Sequence, residues 1–596
     1  MFNVDYEPIG RRGQCPGNQS LLESARQLNV DIVSICGGVG SCNHCKIQII
    51  AGKVSQITLE EEAELSAREL QQGYRLACQT FPLSDVKVHV PPESLTALQR
   101  TQVEGLEVDV APEPPVHALE VQLAVPTLDA PMPDDVNLMS ALGAPSGTID
   151  FQLQQEFSRN LRDLNWQVSA VLRGSELIAI GAPGTRWVGL AVDIGTTKIA
   201  AYLVDMETGR TLASKGQMNP QISYGEDLVS RIVAASKTPA ESARLQFLLV
   251  DALNHLAADL CAETSQNPRN IVEAVVVGNT AIHHLFLRLP VKQLGLAPYT
   301  PAVRAAVNIK TREIGLNFAP GALLHMLPNI AGYVGADHVA MLLATRTAET
   351  SKTTLSIDIG TNTEICLNHK GKLTSVSCAS GPAFEGAHIK FGMRAAPGAI
   401  EHVRLDGDRL EIQTIGAEPP VGICGSGLLD VVAQMRLNGV LDRMGRMSTN
   451  HPRVRKENVA EFILAERPGQ EPITISQKDV RELQLAKAAI RVGIQALTAA
   501  EGLTEQDIEQ VIIAGAFGTF IDVSSAITIG MLFLAACQPQ APVPVTGGYN
   551  SPSTAAPQAT AAPQVMPAAT ATSAAPAAPA ASSVSTRPHF SRSFSI

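Results

Sequence analysis

Cys36-Gly37-Gly38-Val39-Gly40-Ser41-Cys42-Asn43-His44-Cys45 places three thiols within ten residues, with glycines between them. A fourth thiol, Cys78, follows about thirty residues on, in Arg75-Leu76-Ala77-Cys78. Four thiolates make a sulfur environment suited either to zinc or to an iron–sulfur cluster. Zinc sites usually pair two short Cys-x2-Cys knuckles. Here one loop supplies three ligands, Cys36, Cys42 and Cys45, and a distant residue supplies the fourth, which favours the cluster. The glycines suit that chemistry. Inorganic sulfides are negative and backbone N–H groups must approach them, so Gly37, Gly38 and Gly40 let the loop wrap inward with positive φ where needed. Cys15 lies outside the pattern and reads as a buried thiol.

The surroundings of the loop read as a small α+β domain over residues 1–92. Residues 2–6 alternate as a strand, and Ser20-Leu21-Leu22-Glu23 has capping-box spacing before a helical run. Residues 46–50 leave the loop as a strand. Thr58 starts a second helix that Gly73 closes, and residues 86–90 form a last strand. This is a β-grasp order. The Cys-x5-Cys-x2-Cys spacing is one residue longer than the plant-type ferredoxin spacing and resembles that of the adrenodoxin-like ferredoxins, which implies a [2Fe–2S] cluster.

Beyond it, residues 93–116 carry Pro112, Pro114 and Pro115 among acids and read as a linker. Residues 117–186 form a small α+β spacer domain. It has a strand at 118–125, a helix at 150–166 with Phe151, Leu153, Phe157, Leu161 and Leu164 on its apolar face, and two strands joined at Arg173-Gly174-Ser175.

A second signature occurs twice. Leu190-Ala191-Val192-Asp193-Ile194-Gly195-Thr196-Thr197-Lys198 recurs as Leu355-Ser356-Ile357-Asp358-Ile359-Gly360-Thr361-Asn362-Thr363-Glu364. Each copy is an apolar strand, a tight turn and a returning strand, and two copies a domain's length apart imply an internal duplication. Gly195 and Gly360 permit a hairpin whose N–H groups face phosphate oxygens. Thr196, Thr197, Thr361, Asn362 and Thr363 add polar groups, and Lys198 adds charge. Asp193 and Asp358, at the strand ends, are candidate catalytic carboxylates that hold Mg²⁺ through water or orient an attacking water.

Two further stretches complete the expected nucleotide site. Residues 511–518 read as a buried strand running into a turn from Gly515 to Gly518, flat enough to meet a nucleobase or ribose. Gly425 and Ser426, ahead of a helix at 428–435, offer a helix N-terminus to an anion. Together these segments resemble the two-lobed ATPases of the actin, Hsp70 and sugar-kinase superfamily, with lobes at 187–350 and 351–536 and ATP with Mg²⁺ between them. Asn219-Pro220-Gln221 is expected to shape the cleft, and residues 329–337 to form a hinge or cleft edge. His283 and His284 are adjacent on a helix, face different ways and are poor metal ligands together. Cys261, Cys366, Cys378 and Cys424 read as core thiols.

The bulk composition is compatible with this organisation. A chain of 596 residues is too long for one core. Its net charge of −11 and lack of a dense Lys/Arg run argue against nucleic-acid binding. Ten cysteines, four of them clustered, suit a reducing cytoplasm. The N-terminus lacks the apolar core of a signal peptide, and no apolar run reaches the roughly 18–20 residues needed to span a bilayer.

A Cys-x5-Cys-x2-Cys ferredoxin, a spacer and a duplicated Asp-Ile-Gly-Thr ATPase together resemble the reductive activators of corrinoid-dependent proteins. Residues 279–284, 378–386, 422–427 and 514–522 resemble that family as well. The resemblance covers residues 1–530. It implies one-electron reduction of an inactive Co(II) corrinoid protein to Co(I), supported by ATP, with an electron-donating reductase upstream. The chain is compatible with a homodimer. The rival readings are a plain electron carrier on a nucleotide-gated scaffold, a small-molecule kinase fused to a ferredoxin, and an activator of the 2-hydroxyacyl-CoA dehydratase type. The end of the chain departs from the family: after Leu532-Phe533-Leu534-Ala535-Ala536-Cys537 comes a Pro/Ala/Ser/Thr-rich tail, 537–596, expected to be disordered. That departure puts the completeness of the second lobe in question.

Overall fold

The structure is a computed structural model. It describes residues 1–533 except 8–10, 29, 31, 33, 35, 37, 42, 92–93, 95–111, 226, 361, 387, 394, 457, 469–470 and 519. Gly37, Cys42, Thr361, most of the linker and the tail from 534 therefore lie outside the described residues.

The first unit is a five-stranded sheet in the order Arg11–Cys15, Phe2–Glu7, Val86–His89, Lys46–Ala51, Tyr74–Leu76. Phe2–Glu7 runs parallel to Val86–His89 and antiparallel to Arg11–Cys15, as in a β-grasp fold. Helix Leu21–Gln27 is capped by Ser20, whose hydroxyl accepts from the Glu23 N–H, and it buries Leu21, Leu22 and Ala25 in the core with Val4, Ile47 and Val88. The single helix expected from Thr58 to Gly73 is two short ones, Leu59–Glu64 and Ala67–Gln71. Leu65 is extended, and Ser66 with Glu69 forms a second capping box that restarts the helix.

The spacer has a four-stranded sheet ordered Val116–Gln122, Gln167–Arg173, Glu176–Gly181, Thr148–Ile149. The helix expected at 150–166 is also split, into Phe151–Gln154 and Phe157–Asp163. Asp150 caps the first piece, and Phe151 is 70% exposed rather than on the core face. One side of this sheet has its own core around Leu153, Leu161 and Val168. The other side, with Val116, Val171 and Ile178, merges into the core of the first lobe.

That lobe carries a six-stranded sheet ordered Thr211–Met218, Lys198–Asp205, Val188–Ile194, Ile271–Gly278, Leu323–Met326, Val307–Lys310. Helix Pro239–Glu263 packs on it, started by the Thr238 cap and Pro239. It is the one helix among the described residues long and apolar enough to cross a membrane, and its Leu245, Leu249, Leu253, Leu256 and Leu260 lie in the lobe core. The second lobe has a four-stranded sheet, Lys372–Cys378, Thr363–His369, Thr354–Ile359, Gln510–Ala514, and two smaller three-stranded sheets. Gln510–Ala514 is half-buried rather than buried, because it pairs on one side alone among the described strands. Ile521, Ala526, Met531 and Leu532 all enter the second lobe's core, so the segment up to Phe533 packs against that lobe.

Candidate functional site

Three of the four expected cluster ligands are described. The Cys45 and Cys78 Sγ atoms lie 3.4 Å apart, and Cys36 stands close enough to act on Cys78. The Gly40 N–H donates to Cys36 Sγ at 3.3 Å, and Gly38 and Gly40 take φ of 99° and 93°, the wrap that the glycines were expected to permit. Contact with Cys78 draws the Cys45 thiol below its ordinary range, whereas Cys36 and Cys45 push Cys78 well above it. Such crowded thiols are relieved when a cation replaces their protons. Among the described residues no three Cys, His, Asp or Glu side chains gather around one ion. A two-iron cluster is a different demand, because it spreads four thiolates over two metal centres. Cys42 lies outside the described residues.

Buried charge props this loop. Glu61 is shut from solvent and accepts from Arg75 Nη2 at 2.7 Å, Arg75 Nε at 2.9 Å and the Leu76 N–H at 2.9 Å. Burial raises its pKa, but Arg75 and the backbone donors outweigh it and hold the carboxyl below its ordinary value. The strand entering Cys78 is thereby fixed, and the Ala77 N–H donates to the Cys45 carbonyl at 2.8 Å.

The two repeats face each other. Strand Val188–Ile194 pairs antiparallel with Lys198–Asp205 and parallel with Ile271–Gly278, and Thr354–Ile359 pairs likewise with Thr363–His369 and Gln510–Ala514. Gly195 closes the first turn so tightly that a Cβ there would stand 2.8 Å from the Lys198 carbonyl oxygen. Thr197 Oγ1 donates to Glu385 Oε2 of the second lobe at 2.8 Å, a bond between the lobes.

Between the turns sits a nest of four acids. Burial raises Asp358 to about 6. Burial and the charge of Asp358 raise Asp193 to about 7. Burial and then Asp193 raise Asp337 to about 8, and burial with Asp337 and Asp358 pushes Glu364 well up. Asp193 stays open to solvent on one side although protein encloses it on the others, so water or a cation can reach it. Mutual repulsion of this kind favours the protonated carboxyls over the charged ones.

Asp337 and Glu364 are not among the acids expected from the sequence. Glu364 stands directly opposite Asp358 in the ladder, which counting back from the turn would reveal. Asp337 is delivered by tertiary packing. Gly335 lies flat on the next strand end, where a Cβ would come within 2.6 Å of the Gly278 oxygen, and helix Ala336–Ala344 starts there. Residues 329–337 are thus a close-packed backbone contact, with Asn279 Nδ2 donating to the Tyr333 carbonyl and Thr280 Oγ1 to that of Ala331.

The remaining expected residues fall in different places. Gly515, at φ 85°, packs its Cα against Asp358, and a Cβ would stand 2.5 Å from Oδ1. Gly518 backs onto Ile513 instead. Residues Gly515–Gly518 form a single helical turn rather than a flat one. Helix Gly425–Leu437 begins three residues earlier than expected, and a Cβ on Gly425 would strike the Phe384 oxygen and the Phe517 ring. Ser426 is buried beside Cys424 Sγ, and Thr363 Oγ1 bonds Ser380 Oγ at 2.8 Å. Thr196 offers its carbonyl to Arg231 Nη2 at 2.5 Å, and Gly360 N–H donates to the Asn362 carbonyl at 3.1 Å. His283 and His284 are both buried. The Nδ1 of His284 is 2.7 Å from the Thr280 carbonyl, and its Nε2 accepts from the Ala302 and Val303 N–H groups, a packing role.

Four family descriptions match successive parts of the chain. They are the 2Fe-2S iron-sulfur cluster binding domain at 4–83, the RACo linker region at 105–186, the RACo middle region at 188–350, and the C-terminal domain of RACo, the ASKHA domain, at 352–545. The corrinoid activation enzyme RamQ of Eubacterium limosum is 36% identical over 357 residues, 58% of this chain and 60% of that one. The [Co(II) methylated amine-specific corrinoid protein] reductase of Methanosarcina barkeri is 26% identical over 369 residues, 57% of this chain and 65% of that one. The match thus spans less than two thirds of either curated relative. A solved structure described as a reductive activator for corrinoid, iron-sulfur protein is 34% identical, covers 89% of both chains and superposes with a TM-score of 0.64. The chain belongs to the RACo family, the reductive activators of corrinoid proteins, across its ferredoxin, linker, middle and ASKHA regions.

Proposed function

We propose that this chain is an ATP-dependent reductive activator, passing one electron to the inactive Co(II) corrinoid of a partner protein to give Co(I). One observation carries the reading. A single chain joins a crowded thiol set at residues 36–45 and 78 to a nest of four acids between two facing Asp-x-Gly-Thr turns. Cys36, Cys42, Cys45 and Cys78 are the ligands for a [2Fe–2S] cluster, which when bound supplies single electrons. Gln79 braces the loop by donating from Nε2 to the Gly38 carbonyl at 3.0 Å. Val39, 68% exposed at the loop tip, leaves that edge open to a partner.

On the ATPase side, Gly195, Thr196, Thr197 and Lys198 cradle phosphate from the first turn, and Gly360, Thr361, Asn362 and Thr363 from the second. Asp193, Asp337 and Asp358 hold Mg²⁺ through water, with Glu364 adding charge behind Asp358. Asp193, open to the cleft, orients the attacking water. Gly515, packed against Asp358, borders the nucleotide from the second lobe. A one-electron mismatch of about 59 mV disfavours transfer tenfold. Nucleotide helps only through different affinities for open and closed arrangements. A separate reductase loads the cluster, and the free thiols suit the cytoplasm. A homodimer is compatible with this reading, and no role named here depends on one.

Cys36→Ser in anaerobically reconstituted protein should abolish the reduced-cluster electron paramagnetic resonance signal while nucleotide still binds. ATP hydrolysis by the intact protein should rise when a Co(II) corrinoid protein is added. Hydrolysis indifferent to that partner, with phosphate transferred to a small acceptor, would point to a kinase instead.

A further inference from the structure

One side-chain pair between the ferredoxin unit and the first lobe has unusual surroundings. The Arg26 guanidinium, on helix Leu21–Gln27, lies over the Tyr224 ring with 4.9 Å to its centroid. Its Nε and Nη2 atoms are shut from solvent and have no hydrogen-bond partner among the described residues. Glu23, Cys45 and Glu241 lie near enough to act on it by charge only. The aromatic face is therefore the main compensation for a desolvated cation, which leaves this contact poised to open.

Both ends of the contact are wired to the two sites. On one side, the Leu21 N–H donates to the Thr80 carbonyl at 2.8 Å and the Leu22 N–H to that of Ala77 at 2.9 Å, straddling Cys78. On the other, Tyr224 ends the 3-10 segment Pro220–Tyr224, which Asn219 caps. Asn219, at the head of that segment, and Arg231, on helix Leu228–Lys237, hold the carbonyls of Gly195, Thr196 and Thr197. Asn219 Nδ2 donates to Gly195 O at 2.8 Å, the Asn219 N–H to Thr197 O at 2.9 Å, and Arg231 spans Thr196 O and Gly225 O at 2.5 and 2.8 Å. No comparable strap ties the second turn to the ferredoxin unit among the described residues.

We propose that Arg26 is a positioning residue: its stacking on Tyr224 latches the cluster domain to the first lobe, and nucleotide at the Gly195–Thr197 turn releases it. The inference rests on the nucleotide reading of that turn. Phosphate contacting the turn's N–H groups shifts the carbonyls behind them. The 219–225 strap follows, Tyr224 moves, and the Cys78 side of the ferredoxin domain comes free to meet its acceptor. Coupling of this kind is reciprocal, so opening the latch by mutation must tighten nucleotide binding.

The test is hydrogen exchange on the full-length, cluster-loaded protein with and without a non-hydrolysable ATP analogue. Peptides over 190–200 should gain protection with nucleotide, and those over 21–28 should exchange severalfold faster. Arg26→Ala should leave 21–28 fast from the start, remove its response to nucleotide, and tighten the analogue's binding about fivefold. Tyr224→Leu should behave as Arg26→Ala does, whereas Arg26→Lys and Tyr224→Phe, which keep the cation or the ring, should restore the response. Protection at 190–200 with no change at 21–28, or a response that survives Arg26→Ala, overturns the latch and leaves the nucleotide site standing. No protection at 190–200 overturns both.

Discussion

The middle and ASKHA regions share one strand plan and differ in what surrounds their turns. In the first half Ile194 faces Ile199, Asp193 faces Ala200, and the Gly195, Thr196 and Thr197 carbonyls are held by Asn219 or Arg231. In the second half Ile359 faces Thr363 across a turn one residue shorter, so Asp358 faces Glu364. Two like charges directly opposite on antiparallel strands are destabilising; burial with Asp337 and Asp358 pushes Glu364 toward its neutral form, and Ser377 Oγ donates to its Oε1 at 3.0 Å. The contrast teaches a division of labour. The first turn is anchored to the strap that reaches the ferredoxin domain, and the second supplies the denser cluster of acids.

The largest expected effects test whether the halves are equal in chemistry. Asp193→Asn and Asp358→Asn should each lower ATP turnover by about 10²-fold or more, measured as phosphate release. If one variant turns over near the normal rate, the pairing of the two acids is broken as an account of catalysis.

The next effect separates the anchors. Arg231 is fully buried, so Arg231→Met strands the carbonyls of Thr196 and Gly225 and should cost about 3 kcal/mol of stability by denaturant titration. Its nearest counterpart in the second half, Ser380→Ala, removes one neutral bond to Thr363 and should cost about 1 kcal/mol. Equal losses would erase the asymmetry.

A subtler prediction concerns pH. Asp358 and Asp337 titrate higher in the fold than when unfolded, at about 6 and about 8. The stability they lend is complete below their unfolded values and is lost as pH rises through those two. Metal-free protein should therefore melt at progressively lower temperature as pH rises from about 4 to about 8. Glu364→Gln, by removing one repelling charge, should flatten that slope, as should saturating Mg²⁺ with nucleotide. An unchanged slope in Glu364→Gln would mean that the four acids do not act as one nest.

Much of this was legible in the sequence because it depends on local spacing. The Cys36 loop, its glycines and the paired Asp-Ile-Gly-Thr turns announce themselves within ten residues each. Glu364 is legible in principle, since hairpin register follows from the turn, although the Asp-Ile-Gly-Thr repeat itself marks the first strand alone. Asp337 and Glu385 were hidden by long-range packing: Gly335 on Gly278 places one, and a bond to Thr197 links the other. Helix breaks at Leu65 and near Glu156 were missed because apolar spacing continues across them while capping by Ser66 and Asp150 decides the ends. Gly425 looked like an anion site by motif, yet its lack of a side chain answers to Phe384 and Phe517. Cys42 and Thr361, central to the sequence reading, lie outside the described residues.

The central claim is that nucleotide between the two repeats promotes electron delivery from the cysteine loop to a corrinoid. The direct measurement is anaerobic absorbance of a Co(II) corrinoid protein mixed with the chemically reduced, cluster-loaded chain. The Co(I) band should grow only after ATP and Mg²⁺ are added, and should fail to grow with Asp193→Asn. Formation of Co(I) at the same rate without nucleotide, or none at all while ATP is being hydrolysed, would contradict the account.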